Sequence, residues 1–493
     1  MRAGFVLIFM VVCLLVLGAI SYIAPEGGFL VGTYEKEDHG ELVTREIRVS
    51  YPTTEQLLYP KRVEKRKLDE IIQQRQDSIR IAMRMKDSLS IEDSLNFYMS
   101  FDHGNPAILH YPEGDKSVLY DFFSYLSNVE ESDTAMHILH YGDSQIEMDR
   151  ISGYIRERMQ EEFGGWGPGL LSAKPLTPAY NMSHQTSENW RRAVPFGPVS
   201  FRAGHWRYGP MLSVCSFDSG AANIYVKARK KSTQHVKKYN ICKVLYKGQT
   251  NISLSGVNGS KNVSNSYVGG GLNVKQWEFD TFQSKASLTF SGDGPHEIYG
   301  VSLESKSGVY VDNVPMRGAS GTFFRSVDSS LMYHSYNNLN VRMIIMEFGG
   351  NVLPVIHSKK KAVWYGNKFY KQIMRLKNTR PEACIVVIGP ADMSVKNNGV
   401  LETHPYLEHV RDALKSATMR AGCVYWDMYE AMGGKNSMQV WAQHSPKFAS
   451  ADYIHFTKKG AQEISKMFYE ALFNDYKIFL LKRKMDKLKN GHS

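Results

Sequence analysis

The sequence predicts an α/β fold, a parallel sheet covered by helices, interrupted by an inserted β-sandwich. Two patterns predict it. Compact β-branched or apolar runs, Ala135–Tyr141 (AMHILHY), Val341–Phe348 (VRMIIMEF), Ala383–Pro390 (ACIVVIGP) and Gly422–Tyr429 (GCVYWDMY), are separated by helical stretches. Strands that alternate with helices form parallel sheets buried on both faces. Between about Ser172 and Ser307 the helical period disappears, and runs such as ANIYVKA, NICKVLY and ASLTFSG alternate with Gly, Asn and Ser turns, the texture of a β-sandwich. At 493 residues, 43% of them hydrophobic and 22% charged, the chain can build two or three folded domains, which excludes disorder as its dominant state. A negative mean hydropathy excludes a polytopic membrane protein.

In chain order, the first element is the uncharged stretch Ala3–Ala24, long enough at about 1.5 Å per residue to cross a roughly 30 Å hydrocarbon layer. Residues 1–25 are therefore expected to be a signal anchor or a signal peptide. The length favours a retained anchor, while Ala19 and Ser21 offer a small-residue cleavage site. Either places the bulk of the chain in the extracytoplasmic envelope, the periplasm, held to the inner membrane by this segment, or secreted if it is cleaved. Residues 26–131 are expected to be a helical stalk or linker, because Leu68, Ile71, Ile72, Ile79 and Met83 recur at helical spacing among charged residues. The first part of the α/β domain is assigned to 132–171, the β-sandwich to 172–307, the second part to 308–475 and a basic tail to 476–493. A last helix is expected over Thr457–Phe473, with Thr457 as N-cap.

Charge and cysteine content narrow the chemistry. A net charge of +11 suits acidic glycans, an anionic membrane surface or nucleic acid, and an extracytoplasmic location disfavours the last. Five cysteines without a CxxC pair argue against a zinc ribbon or a thioredoxin-like site. Cys215 and Cys242 remain open as a disulfide in an oxidising compartment. His137 and His140 alternate along the first strand and read as packed or hydrogen-bonded residues, since no third metal ligand accompanies them. Neither a metal nor an organic cofactor is expected.

Four short motifs carry chemistry. Gly142-Asp143-Ser144 follows the first α/β strand, where the carboxyl ends of parallel strands open onto a ligand crevice, and makes Ser144 a candidate nucleophile. Asp452-Tyr453-Ile454-His455 sets a carboxylate three residues before an imidazole, a spacing that lets the carboxylate receive Nδ1–H and leaves Nε2 to deprotonate a serine. Glu347-Phe348-Gly349-Gly350-Asn351 ends the strand VRMIIMEF, so the Asn351 amide can point donors at a developing oxyanion. Arg317-Gly318-Ala319-Ser320-Gly321 offers a backbone N–H. The order Ser, Gly, Asn, Asp and His, each at a strand end or ahead of the last helix, resembles the blocks of the SGNH/GDSL hydrolase family over roughly residues 132–171 and 308–474.

That resemblance implies a flavodoxin-like three-layer sandwich. It also implies a serine esterase with Ser144 as nucleophile, His455 as general base and Asp452 as orienting acid. Ser144 N–H, Gly318 N–H and the Asn351 side chain would form the oxyanion hole. The family's frequent acidic residue after the third-block Asn is Val352 here, and no GxSxG elbow is present, which disfavours an ordinary α/β-hydrolase. The gap between Ser144 and Gly318 is about five times that between Gly318 and Asn351, which puts the extra mass between the first two blocks. In this the architecture resembles bacterial peptidoglycan O-acetylesterases, in which a jelly-roll-like carbohydrate-binding domain interrupts the hydrolase. The implied partner is an acylated polysaccharide or peptidoglycan, and the implied reaction removes O-acyl, above all O-acetyl, groups. An envelope O-acyltransferase using the same triad and a non-catalytic glycan-binding protein are the alternatives.

Further candidates are weighed against ordinary roles. Asp392 in GPADMS follows a strand and could contact substrate or form a turn, and Trp166 in FGGWGPG could stack on a sugar or pack within its loop. Glu147 and Asp149 are read as stabilising a helix N-terminus. Lys227, Arg229, Lys230, Lys231, Lys237 and Lys238 are expected to decorate a hairpin.

Overall fold

The computed structural model describes residues 90–490, apart from 103, 219, 294, 295 and 398, together with the backbone of 29–38 and 41–49. The apolar stretch 3–24 and most of the expected stalk helix lie outside the described residues. Among the described residues no helix is long and apolar enough to cross a membrane. Residues up to 80 form one unit, whose described part is an antiparallel hairpin, Phe29–Asp38 paired with Glu41–Val49. This differs from the helical linker expected from 26 onward. Its second strand is rich in β-branched Val43, Thr44, Ile47 and Val49, which prefer a pleated backbone.

The unit from Ile81 onward holds the α/β sheet. Its strands are β1 (Leu109–His110), β2 (Met136–Gly142), β3 (Val309–Pro315), β4 (Val341–Glu347), β5 (Cys384–Ile388) and β6 (Val424–Trp426). Their spatial order is β3-β2-β4-β5-β6-β1, parallel except for the edge strand β1. Every residue of β2 is buried, as expected of a strand covered on both faces. The parallel strands follow the doubly wound order, in which the chain reverses direction across the sheet between β2 and β4. In such sheets the crevice beyond the carboxyl ends at that reversal is the usual place for a ligand.

Two stretches expected outside this domain belong to it. Within the supposed stalk, β1 extends the sheet, and the helix Tyr120–Ser127 buries Phe122, Phe123 and Leu126 on one face. Phe123 meets the rings of Tyr476 and Phe479 at 5.6 and 5.7 Å. Those partners lie in the supposed tail, which instead continues the last helix, Lys458–Asn490. Tyr476, Ile478 and Phe479 are buried, so apolar packing carries the helix past 475. Thr457 caps it by accepting from Gly460 N–H at 3.2 Å.

The helices Lys359–Thr379 and Leu407–Arg420 cover one face of the sheet. They cross at Gly366, where a Cβ would stand 2.7 Å from the Ala413 carbonyl oxygen, so only glycine permits that approach.

The insert consists of two antiparallel sheets facing one another. One runs Lys261–Gly269, Leu272–Gln283, Tyr239–Lys247, Glu297–Glu304, Val214–Ser216, Arg191–Ala193, and the other Asn251–Ser255, Lys285–Ser291, Ala221–Ala228, Met182–Thr186. Trp190, Trp277, Phe279, Phe290 and alternating aliphatics fill the space between them, as inward-facing residues do in sandwiches. Gly169–Leu171, placed by sequence in the α/β part, pairs with Glu297–Glu304 of the insert. The outer face of the larger sheet contributes Leu245, Leu272, Val274 and Tyr299 to the same apolar cluster as β4 and the helix Ser329–Asn338, so sandwich and α/β sheet share a core.

Cys215 and Cys242 are both buried free thiols. They pair with Ile298 and Leu303 on opposite sides of one strand, a separation of about 16 Å at roughly 3.3 Å per residue, too far for a disulfide. The basic cluster does not decorate a hairpin, because Ala221–Ala228 and Tyr239–Lys247 lie in different sheets. The connection between them is tied down by Arg229 Nε donating to the Met182 carbonyl.

Candidate active site

The turn after β2 places Ser144 at the chain reversal. Asp143 Oδ1 accepts from Gln145 N–H at 2.9 Å, closing a local turn that lifts Ser144 out of the strand. Across the crevice, the loop before the last helix carries Asp452 and His455, with Tyr453 in the left-handed backbone region at φ 57°. That conformation, costly for a non-glycine residue, lets Asp452 turn back onto His455. Asp452 Oδ2 accepts from His455 Nδ1–H at 2.8 Å, and Oδ1 accepts from the backbone N–H groups of Ile454 and His455 at 2.9 and 3.0 Å. Burial works against the Asp452 charge, but these three bonds outweigh it and hold the carboxyl below the usual carboxylate range. With Nδ1–H given to Asp452, His455 Nε2 is left as the acceptor for Ser144 Oγ–H at 2.8 Å.

Two residues that the sequence reading did not single out, Arg150 and Gln145, tie these loops together, and two that it did, Glu147 and Asp149, take other roles than expected. Arg150 donates from Nη2 to the Ser144 carbonyl and from Nη1 to the Phe456 carbonyl, each at 3.0 Å, so one guanidinium spans the serine and histidine loops. Gln145 Nε2 donates to the Ile454 carbonyl at 2.6 Å. Glu147 is buried and takes a bidentate pair from Arg317, Nε at 2.7 Å and Nη2 at 2.6 Å, which anchors the loop bearing Gly318. Asp149 is buried against the Arg156 guanidinium. Both acids thus serve as ion-pair partners rather than helix-end charges. Their signal in the sequence was only an acid or base near a strand end, which does not identify its mate.

Asn351 follows β4 through Gly349, whose φ of 131° suits glycine and aims the next turn at the crevice. Asn351 Nδ2 donates to Asp143 Oδ2 at 3.0 Å and to the Ala319 carbonyl at 3.3 Å, which brings it beside the residue following Gly318. Gly318 itself is exposed at φ 78°, with open space around it. Burial pushes the Asp143 carboxyl up to about 7, aided by the Glu347 and Glu147 charges and opposed by the bonds from Gln145 and Asn351.

Ser144, His455, Asn351, Asp143 and Glu347 line one cavity of about 200 Å³ with Met393 and Met428, open to solvent. Asp392 and Trp166 do not. Asp392 is fully buried, its Oδ1 accepting from Thr403 Oγ–H and its Oδ2 from Met438 N–H, each at 2.8 Å. Its oxygens are taken up by hydrogen bonds inside the fold, so the expected crevice contact is corrected. Trp166, half-buried, packs at the junction with the insert, against His235 at 4.7 Å and Phe282 at 5.6 Å. His137 and His140 are buried and hydrogen-bonded, the first to Asp312 at 2.6 Å and the second to Glu347 at 3.0 Å. No cluster of three metal-ligating side chains occurs among the described residues.

Comparison with protein-family models finds no match, and neither does comparison with curated proteins. Solved structures do match. A peptidoglycan O-acetylesterase aligns over 76% of this chain and 99% of its own, with a TM-score of 0.60 at 20% identity. The two share a fold. A GDSL-like lipase from Parabacteroides merdae aligns over 34% of this chain and 73% of its own, at 13% identity and TM-score 0.25. A family two carbohydrate esterase from Cellvibrio japonicus aligns over 60% of this chain and 99% of its own, at 8% identity and TM-score 0.25. The match to the O-acetylesterase structure spans enough of the chain to take in both the α/β sheet and the insert, so an α/β sheet with added antiparallel sheets is a known arrangement rather than a new one.

Proposed function

We propose that this chain is an extracytoplasmic serine esterase of the SGNH type that removes O-acyl, principally O-acetyl, groups from peptidoglycan or a related envelope polysaccharide. The observation that carries it is the unbroken line Ser144 Oγ, His455 Nε2, His455 Nδ1, Asp452 Oδ2, with both contacts at 2.8 Å. In this reading Ser144 Oγ attacks the acyl carbonyl while His455 Nε2 takes its proton. The tetrahedral oxyanion is met by Ser144 N–H, Gly318 N–H and the Asn351 amide, and His455 returns the proton to the departing sugar hydroxyl. Asp452 stays ionised and keeps the imidazole in the tautomer that can accept. Water, activated by the same histidine, then releases the acid from the acyl-enzyme. The shared fold with a peptidoglycan O-acetylesterase supports the choice of glycan. The N-terminal apolar stretch supports export and attachment to the inner membrane. The test is acetate release from O-acetylated peptidoglycan by the purified protein, compared with Ser144→Ala. Release that persists undiminished in the variant would exclude the mechanism.

A further inference from the structure

A second, smaller cavity, of about 80 Å³, lies where the insert meets the turn after β2 and the carboxyl end of β3. The serine turn separates it from the first, since Ser144 and Gln145 face one cavity while Met148 and Asp149 face the other. Met148 and Asp149 hold φ angles of 62° and 63° to make that turn, strained positions of the kind that recur at ligand sites.

Three of its side chains, Arg156, His184 and Arg192, each carry one shielded nitrogen without a hydrogen-bond partner. Arg192, on the strand Arg191–Ala193, lines the cavity with its Nε shielded from solvent and unbonded. Its cross-strand neighbour is Cys215, and no carboxylate among the described residues pairs with it. Arg156, in the same cavity, is by contrast neutralised by Asp149. Arg192 is half-buried, with only its Nε shielded, so its guanidinium faces the cavity without a counter-ion, and it is the group best shaped to take a carboxylate through two parallel N–H bonds. His184 also lines the cavity, bonded to the Ala173 backbone, while its Nε2 is shielded and unbonded. Burial lowers its pKa to about 4, so the ring is neutral near pH 7 and has a lone pair to offer. Leu170, Leu176 and Met211 supply apolar wall.

We infer that this cavity binds a carboxylate carried on a small alkyl group attached to the glycan, a lactyl or alanyl carboxylate, with Arg192 as its counter-ion and His184 accepting from a neighbouring N–H or O–H. The sugar is named on the strength of the esterase reading, whereas the carboxylate rests on the cavity alone. A chain lying across the serine turn would place its ester at Ser144 and its acid at Arg192.

The experiment measures calorimetric binding to full-length Ser144→Ala protein, which cannot turn over substrate. The probes are N-acetylglucosamine, N-acetylmuramic acid, which adds the lactyl acid, and N-acetylmuramoyl-L-alanine, which moves the carboxylate one residue out. At least one acid is expected to bind about tenfold or more tighter than N-acetylglucosamine, the size of one charge-assisted contact. Preference for the second probe assigns the lactyl source, and preference for the third the alanyl source. Arg192→Met, introduced into Ser144→Ala, should abolish the preference and Arg192→Lys should restore part of it. Equal binding of all three sugars to Ser144→Ala overturns the inference without needing any Arg192 variant, and so does a preference that survives Arg192→Met. Acetate release by the wild-type chain is scored separately. Release without acid preference removes this site alone, and acid preference without release removes the esterase reading alone.

Discussion

Asn351 donates its side-chain amide to Asp143 Oδ2 at 3.0 Å, directly beside the serine whose oxyanion it would stabilise. Its other bond, to the Ala319 carbonyl, is longer at 3.3 Å. An amide nitrogen has two N–H groups, so the weaker contact is the one an oxyanion can take over, while Asp143 keeps the amide oriented. Replacing Asn351 by Ala is therefore expected to lower kcat roughly 100- to 1000-fold with little change in KM, because the donor acts on charge that develops only in the transition state. Steady-state kinetics on a soluble acetyl ester check this. A large rise in KM at constant kcat would make Asn351 a ground-state contact.

Asp143 carries a second consequence, for stability. Its carboxyl titrates near 7 in the folded chain against 3.8 ordinarily. The folded state therefore binds the extra proton between those values. Stability from this group is complete below about pH 4 and is lost as pH rises through 7, at a slope of at most roughly 1.4 kcal/mol per pH unit. Asp143→Asn removes the titration and should flatten that part of the pH profile in denaturant unfolding. An unchanged slope in the variant would place the proton elsewhere.

The triad is expected to behave as one unit. Ser144→Ala and His455→Ala should each reduce turnover by several orders of magnitude, with the double variant little worse than either. Asp452→Asn should be severe but milder, since the Ile454 and His455 backbone N–H groups that bond Oδ1 continue to hold the loop. Additive losses in the double variant would show that the two residues do not share a step.

The sheet was legible because its strands are continuous apolar runs, and the Ser144, Asn351 and His455 segments were legible because each ends a strand or opens a helix. What ties them together was not. Arg150 reaches Phe456 across 306 positions and Gln145 reaches Ile454 across 309, and a single sequence carries no mark of such pairings. Asp392 shows the same limit in reverse. Its place after β5 put it at the crevice, but its backbone donor at Met438 comes from a helix 46 positions later and turns it inward. The hairpin near the N-terminus was obscured by the charged stretch that follows it, and Tyr476–Phe479 was read by its basic neighbours rather than by the apolar face it buries.

His137 joins the sheet to the insert. Its Nδ1 lies 2.6 Å from Asp312 on β3 and its Nε2 3.2 Å from Glu304 on the insert, which also pairs with Lys243. Burial opposes the imidazolium, yet the Asp312 and Glu304 carboxylates outweigh it and push the His137 pKa up to about 9. The stabilisation is complete below about pH 6.5 and disappears as pH rises through 9. His137→Gln leaves the buried Asp312 without a charged partner and Glu304 with Lys243 alone, and should cost about 3–5 kcal/mol at pH 7. Thermal unfolding at pH 7 and pH 9.5 should show the wild type losing much of its advantage over the variant at the higher pH. A pH-independent difference would mean that the histidine is neutral in the fold.

The insert provides the test of polymer specificity. Its loop carrying Phe196 stacks on Phe323 at 5.3 Å, immediately after the Gly318–Gly321 segment, and places Phe201, 57% exposed, on the surface nearby. An exposed ring there has no role in the core and is free to stack on a sugar remote from the ester. Such remote binding energy orients the reacting group of a long chain, and a small ester cannot draw on it. Phe201→Ala is accordingly expected to lower acetate release from polymeric peptidoglycan about three- to tenfold, the worth of one aromatic contact at 0.5–1.5 kcal/mol. Hydrolysis of p-nitrophenyl acetate, which reports the triad alone, should stay within about twofold on the same scale. Equal losses on the two substrates, in a variant with an unchanged melting curve, would make the insert a structural support for the Gly318 loop rather than a surface that selects the polysaccharide.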